Sequence, residues 1–346
     1  MRLITSLLLF ILMTSCNQEV KKTVKTYKSV EIQDIYNDSI SVRAIELMGD
    51  GTLTFAANNG VYGLYFPKKA QWVTSTQLHD SVPLHFRAVA HTANDFFMLS
   101  IESPALLYKT GDDGKMTLVY EEHGEGVFYD AMTFWNDKEG LAIGDSVNGC
   151  LSIIITRDGG ETWTKLACDV LPESLEGEGA FAASNTNIKV LGDKAWIATT
   201  TGTIYFTGNK GVSWVSIETP MLNTEPTQGI YSIDFYDDYN GFAVGGDYTK
   251  PELNTANKMK TSNGGTTWEL ISDGKAPGYK SCVQYIPNSD AQGLVAVSFN
   301  GIDLSHDGGL TWKHISDESF YTIRFVNDSL AYAAGQDRIS KLEFKE

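Results

Sequence analysis

Three arginines, Arg43, Arg87 and Arg324, fall near the starts of short alternating segments that recur along the chain. A cluster of guanidinium forks is the chemistry that grips a carboxylate through paired hydrogen bonds. A glycosidase acting on an acidic sugar combines such a cluster with a tyrosine nucleophile and a carboxylic acid. Here Arg324 sits three residues deeper in its segment than the other two. The six histidines (79, 85, 91, 123, 306 and 314) show no ligand spacing, and neither do Cys150, Cys168 and Cys282, so no metal is expected. Gly177-Glu178-Gly179-Ala180-Phe181-Ala182 fits a relaxed G-x-G-x-x-A. That fingerprint works only between a strand and a helix, whose N-terminus holds pyrophosphate. A loop with Pro172 precedes it here and a strand is expected after it, so no cofactor is expected.

The elements that would position these residues form a repeat. Four segments fit [Ser/Thr]-x-[Asp/Asn]-x-Gly-x-[Ser/Thr]-Trp: 156–163, 207–214, 261–268 and 305–312. Their starts are 51, 54 and 44 residues apart. A degenerate copy begins at Thr110, and residues 65–72 keep only the Trp. The pattern reads as a β-hairpin. Asp158, Asn209, Asn263 and Asp307 can accept from turn amides, and the Gly supplies the backbone freedom. Trp163, Trp214, Trp268 and Trp312 open the next strand and can pack on a neighbouring unit. Ahead of each turn come an alternating strand and a small-residue strand, such as 128–134 followed by 140–144. Each unit is thus about four strands in about 45 residues, the size of a propeller blade.

Seven innermost strands are expected, beginning near Val42, Phe86, Tyr129, Phe181, Tyr231, Lys280 and Tyr321. The last unit runs out after three strands, and residues 26–35 have no blade of their own. Pairing the two ends would close the ring. The expected fold is an all-β, seven-bladed β-propeller over residues 29–346.

The repeated turn resembles the Asp-box, or BNR repeat, of sialidases and sortilin-type receptors. That resemblance implies a structural role for the four Asp/Asn residues and their Trp partners. Three further phrases, 177–186, 232–235 with 241–251, and 279–283, resemble the bacterial envelope branch of the Ycf48/Hcf136-like family. Together with the turns, the likeness covers roughly residues 40–346. It implies a propeller that binds protein as a scaffold without catalysis. Photosystem assembly does not carry over, because a lipid tether and this acidity fit it poorly.

A propeller gathers the starts of its innermost strands on one face. That face would carry Arg43, Arg87, Asp130, Glu178, Tyr231, Lys280 and Tyr321, with loop residues Asp145, Asp247, Tyr248 and Lys250. Loops on a rigid scaffold are where binding usually resides. A protein partner is expected there; the alternative is a glycan, with the chain a carbohydrate-binding protein or a sialidase-like glycoside hydrolase. If the first repeated turn centres on Gly159, Thr156 faces Thr162 and Cys150 faces Cys168, close enough for a disulfide.

The N-terminus reads as an address. One Arg, then an apolar stretch over residues 3–13, is long enough for a signal peptide and too short to span a bilayer. Residues 12–16 end on Cys16 and resemble a bacterial lipobox. The resemblance implies cleavage after residue 15, lipid on Cys16, and residues 16–28 as a tether. A lipid-anchored envelope protein is expected, at the outer membrane rather than the inner, touching the membrane by its anchor alone. The net charge of −16 argues against nucleic-acid binding.

Overall fold

The computed structural model describes residues 25–111 and 114–346. The signal segment, Cys16 and Asp112–Asp113 of the degenerate turn lie outside the described residues. Seven four-stranded antiparallel sheets form the seven blades of a β-propeller. Their innermost strands are Ala44–Leu47, Phe86–His91, Tyr129–Phe134, Ile188–Leu191, Ile230–Phe235, Cys282–Tyr285 and Thr322–Phe325. The seventh blade takes its outermost strand from the other end of the chain. Ser29–Ser41 lies antiparallel against Gln336–Lys345, from Ser29 opposite Lys345 to Ser41 opposite Gln336. The last residues of the expected tether are docked as well: Tyr27 is buried, and its amide donates to His306 Nε2 at 3.0 Å.

Each blade is sandwiched between two others, so its middle strands are buried on both faces. In the third blade Leu141, Ile143, Ile153 and Ile155 pack on Ile188, Ala195 and Ile197 of the fourth. The alternate residues Ala142 and Ile154 pack on Phe97, Leu99 and Leu107 of the second. This is why the strands read as near-continuous apolar runs with small residues at the tight positions.

The repeated turns lock neighbouring blades together. In the first, Thr162 donates to both oxygens of Asp158, from its amide (3.0 Å) and its hydroxyl (2.6 Å), and the Gly160 amide donates to Thr156 Oγ1 (2.8 Å). The amide bond recurs at Asn209, Asn263 and Asp307. Asp307 also accepts the Thr311 hydroxyl, whereas the Asn209 and Asn263 side-chain amides donate to the Ser213 and Thr267 hydroxyls. The pattern's glycine lies against the preceding blade. A Cβ on Gly265, at φ +84, would stand 2.6 Å from Trp196 Nε1. Gly265→Ala is therefore expected to lower stability by about 3 kcal/mol, from positive-φ strain plus overpacking. Gly208→Ala, at negative φ with room for a methyl, is expected to shift stability by less than about 0.5 kcal/mol. Urea midpoints compare the two, and equal shifts would contradict the seating of this glycine.

Two expectations are corrected. Ile155 pairs with Thr164 and Ile154 with Lys165, one residue out of the expected register. Both Gly159 and Gly160 have positive φ, so the reversal spans two residues and centres between them. Cys150 and Cys168 are joined by a disulfide, but not as a facing pair. The strand ends at Lys165, and the short helical turn Cys168–Val170 brings the second sulfur in from outside the ladder. The fourth innermost strand begins at Ile188, not Phe181. Residues 183–187 instead cross the axis of the ring. Ser184 Oγ donates to Ser281 O (2.7 Å), Asn185 Nδ2 to Val89 O (2.8 Å) and Thr186 Oγ1 to Ser232 Oγ (2.8 Å). Asn185 Oδ1 accepts from the Met132 amide (3.0 Å), and Ser184 O from Thr322 Oγ1 (2.9 Å). One short segment thus ties five other blades and divides the axial channel into two chambers.

A candidate binding pocket at the axial mouth

The chamber on the side where innermost strands begin is an open pocket of about 640 Å³. Its lining is built by β-bulges. Arg87 is the extra residue between the paired Phe86 and Ala88, and Tyr231 the extra residue between Ile230 and Ser232. Asp130 and Asp145 are extra in the same way in the third blade. A bulge re-aims one side chain without breaking the ladder on either side. Three of the sequence-predicted residues, Arg87, Asp145 and Tyr231, therefore turn toward one mouth for the same backbone reason, and Asp130 is brought beneath it.

Arg43 and Arg87 stand together at the pocket wall. Arg43 lies 4.1 Å above the Tyr321 ring, and its buried Nε has no hydrogen-bond partner. Arg87 Nε donates to His85 Nε2 at 3.3 Å. Burial, then the charges of Arg87 and Arg43, push His85 down to about 4, so it accepts as a neutral ring. Among the described residues neither arginine has an ion pair, whereas Arg157, Arg324 and Arg338 all do. The opposite wall is aromatic. Phe181 stacks on Tyr231 at 3.6 Å, Tyr231 meets Tyr279 edge-on at 4.8 Å, and Phe299 packs on Tyr279 at 5.4 Å. Tyr248 flanks the same group.

Two carboxyls complete the pocket. Asp145 lines it and accepts the Ala180 amide at 3.3 Å. Burial raises Asp145 to about 6. Asp130 lies beneath, fully buried, with no donor in hydrogen-bond geometry to either oxygen. Burial and the neighbouring Asp145 push it well above the usual carboxylate range, with Arg87 and the Ala180 and Ala182 amides opposing only in part.

The other expected site residues lie apart. Glu178 is buried as an anchor, accepting from the Leu175 amide and from Thr199, Thr201 and Tyr205 hydroxyls. Asp247 is buried in a turn; burial raises it, but hydrogen bonds from Thr249 and Thr227 outweigh this and hold it at about 2. Lys250 is exposed beside it. Lys280 is buried against Asp303 at 2.5 Å, in a separate hollow. Arg324 faces the other axial chamber, bonded to Glu46 at 2.8 Å. Phe128, Phe181, Tyr279 and Phe299 line the pocket but were not among the sequence candidates. Phe299 is set by the Asn300-Gly301 turn after it, the one local signal that could have flagged it.

This arrangement can hold an anionic group on the arginines with an apolar or aromatic group on the facing wall. It is less suited to glycoside cleavage. The Tyr231 hydroxyl donates to Thr227 O, burial keeps it a neutral phenol, and Asp130 lies beneath the pocket rather than in its lining. Among the described residues no three His, Cys, Asp or Glu side chains converge on a metal position.

No family model and no curated protein matches the sequence. Solved structures do. YCF48 bound to D1 peptide superposes with a TM-score of 0.65 at 14% identity, over 93% of this chain and 99% of that one. YCF48 from Cyanidioschyzon merolae gives 0.64 at 14%, over 91% and 99%. A GH74 enzyme from Niastella koreensis gives 0.57 at 16%, over 88% of this chain but only 43% of its own. At these identities the likeness is one of fold.

Proposed function

We propose that this chain is a non-catalytic propeller that binds a segment of a partner protein at the axial pocket, in an assembly or scaffold role. One observation carries the reading: two adjacent arginines with no ion pair among the described residues, in a protein of net charge −16, beside an aromatic wall. A partner's carboxylate would supply the missing charge, and an apolar side chain would cover the rings. The YCF48 structure that shares this fold is bound to a peptide, which supports protein binding in general. The reading includes a lipid anchor on Cys16 and an address at the outer membrane, and the lipobox-like residues 12–16 support it. No helix among the described residues is long and apolar enough to cross a membrane.

The test is capture of partners from crosslinked native envelopes by wild type, by Arg43→Ala/Arg87→Ala, and by Lys250→Ala. Each charge-assisted contact is worth about 1.5–3 kcal/mol, so the double variant should bind a specific partner at least about tenfold more weakly. Lys250→Ala should bind it as wild type does. Retained glycan with no arginine-dependent protein, or turnover of a glycoside panel, would replace this reading with the carbohydrate one.

A further inference from the structure

The carboxyls beside the arginine pair have no role in holding the fold that their partners explain. Asp130 is wholly buried, with no donor in full hydrogen-bond geometry to either oxygen, and the nearby Ala180 and Ala182 amides offset its burial only in part. Asp145 has one long bond to the Ala180 amide, and no cation lies within ion-pair reach of it among the described residues. The chain is pressed onto it: a Cβ on Gly179 would stand 1.8 Å from its Oδ1. Both are the extra residues of bulges, so the backbone departs from its ladder to bring two acids to an anion site. We infer that Asp145, set by its bulge in the same pocket as the arginine pair with Asp130 beneath it, is the acid that governs this site, so that the pocket takes up a proton with an anionic group and binds it more tightly in mildly acidic than in neutral solution. The inference rests on the reading of the pocket as an anion site.

The charged surroundings fix the direction. The third blade contributes Asp130 and Asp145, the second Arg87 and neutral His85, and the first Arg43. Tyr231, Tyr248, Tyr279 and Tyr321 face in from later blades, and burial pushes Tyr231 and Tyr279 further up. Glu178, in the covering loop, is turned away onto Thr199, Thr201 and Tyr205. Asp247 is held ionised by its own turn. Burial holds Asp130 well above the usual carboxylate range, and Asp145, raised to about 6, is the group that changes charge between pH 5 and 7.5. Ionised, it sets a negative charge against an incoming carboxylate. Bound, the carboxylate raises Asp145 further, and reciprocity makes protonation strengthen binding by the same factor.

The probe is N-acetylphenylalanine, a carboxylate beside one ring, with its uncharged amide as the control. Calorimetry on the full mature protein at pH 5.5 and 7.5, in buffers of different ionisation enthalpy, reads affinity and proton uptake together. Wild type should bind the acid about tenfold more tightly at pH 5.5, with net proton uptake near neutrality. Asp145→Asn keeps an acceptor for the Ala180 amide. It should show no uptake and bind at pH 7.5 as wild type does at 5.5. Carbon-13 titration of the wild-type aspartate carboxyls, with and without the acid, gives the same answer without a variant: one midpoint near 6 should move up on binding. Acid binding that is independent of pH, or a profile unchanged in Asp145→Asn, would overturn this inference and leave the anion site standing. No arginine-dependent preference for the acid over its amide at either pH would overturn both.

Discussion

A chain shortened to begin at Ser41 is expected to lose the cooperative unfolding transition altogether. The strand Ser29–Ser41 is the outermost strand of the seventh blade, and without it the edge of Gln336–Lys345 is left open. It also seals two blade junctions. Tyr27, Val30 and Ile32 pack with Phe320, Leu342 and Phe344 at one. Ile35, Tyr36 and Ile40 pack with Phe55, Trp72 and Ile339 at the other. Trp72 Nε1 donates to Ile35 O at 2.7 Å. Tyr27 and Ile40, both buried, contribute about 1.5–3 kcal/mol each, and the four partly buried side chains add to that. The whole stability of a domain is about 5–15 kcal/mol. Truncation should therefore give a molecule with no urea transition that aggregates through its bare strand edge. Adding residues 25–41 as a separate peptide should restore the transition. A sharp transition in the truncated chain alone would show that seven blades close without this strand.

Asn185→Leu is expected to destabilise the protein by about 4 kcal/mol, more than Gly265→Ala. The side chain is near the same size, so little volume changes. What is lost is a pair of bonds across the axis, to the Met132 amide and the Val89 carbonyl. Each group would be left buried without a partner, at about 1–3 kcal/mol apiece. Because the segment touches five other blades, the loss should appear as a lower urea midpoint for the whole ring with an unchanged slope. Asn185→Asp keeps the acceptor for Met132 but buries a charge and loses the donor, so it should be at least as harmful. A shift below about 1 kcal/mol for Asn185→Leu would mean the axial segment is packed against the ring without supporting it.

Much of the architecture was legible because one local pattern does the same work in four of the seven blades. The repeated turn needs its Asp or Asn, its glycine and its Trp wherever it occurs, so each copy declares a blade. The axial segment was misread for an equally physical reason. Residues 180–187 are small and polar with an alternating look, which suits a strand. Ser184, Asn185 and Thr186 satisfy their hydrogen bonds across the axis instead, and no local sequence feature announces partners 46 to 97 residues away. The pocket was half legible. Arg43, Arg87, Tyr231 and Tyr321 follow from counting strand starts, and Asp145 and Tyr248 from the loops expected on the same face. The bulges that aim three of them do not, since each inserts one ordinary residue. The aromatic wall comes from separate loops, so Phe128, Phe181, Tyr279 and Phe299 share no spacing that could have grouped them. The one-residue error in hairpin register came from treating two positive-φ glycines as a single turning point.

The position of the first described residues bears on how the ring meets force. Lys25 pairs with Asp328 at 3.1 Å, and Tyr27 sits against His306. Both partners lie in turns on the side where innermost strands end, so the chain leaves the ring opposite the pocket mouth. A pull between residue 25 and a molecule held in the pocket runs along the strands, from one face to the other. The bonds joining Ser29–Ser41 to Gln336–Lys345 lie across that line. They are sheared together instead of being unzipped one by one, so the seam that closes the ring resists best in the direction along which a tethered protein would be tugged by what it holds.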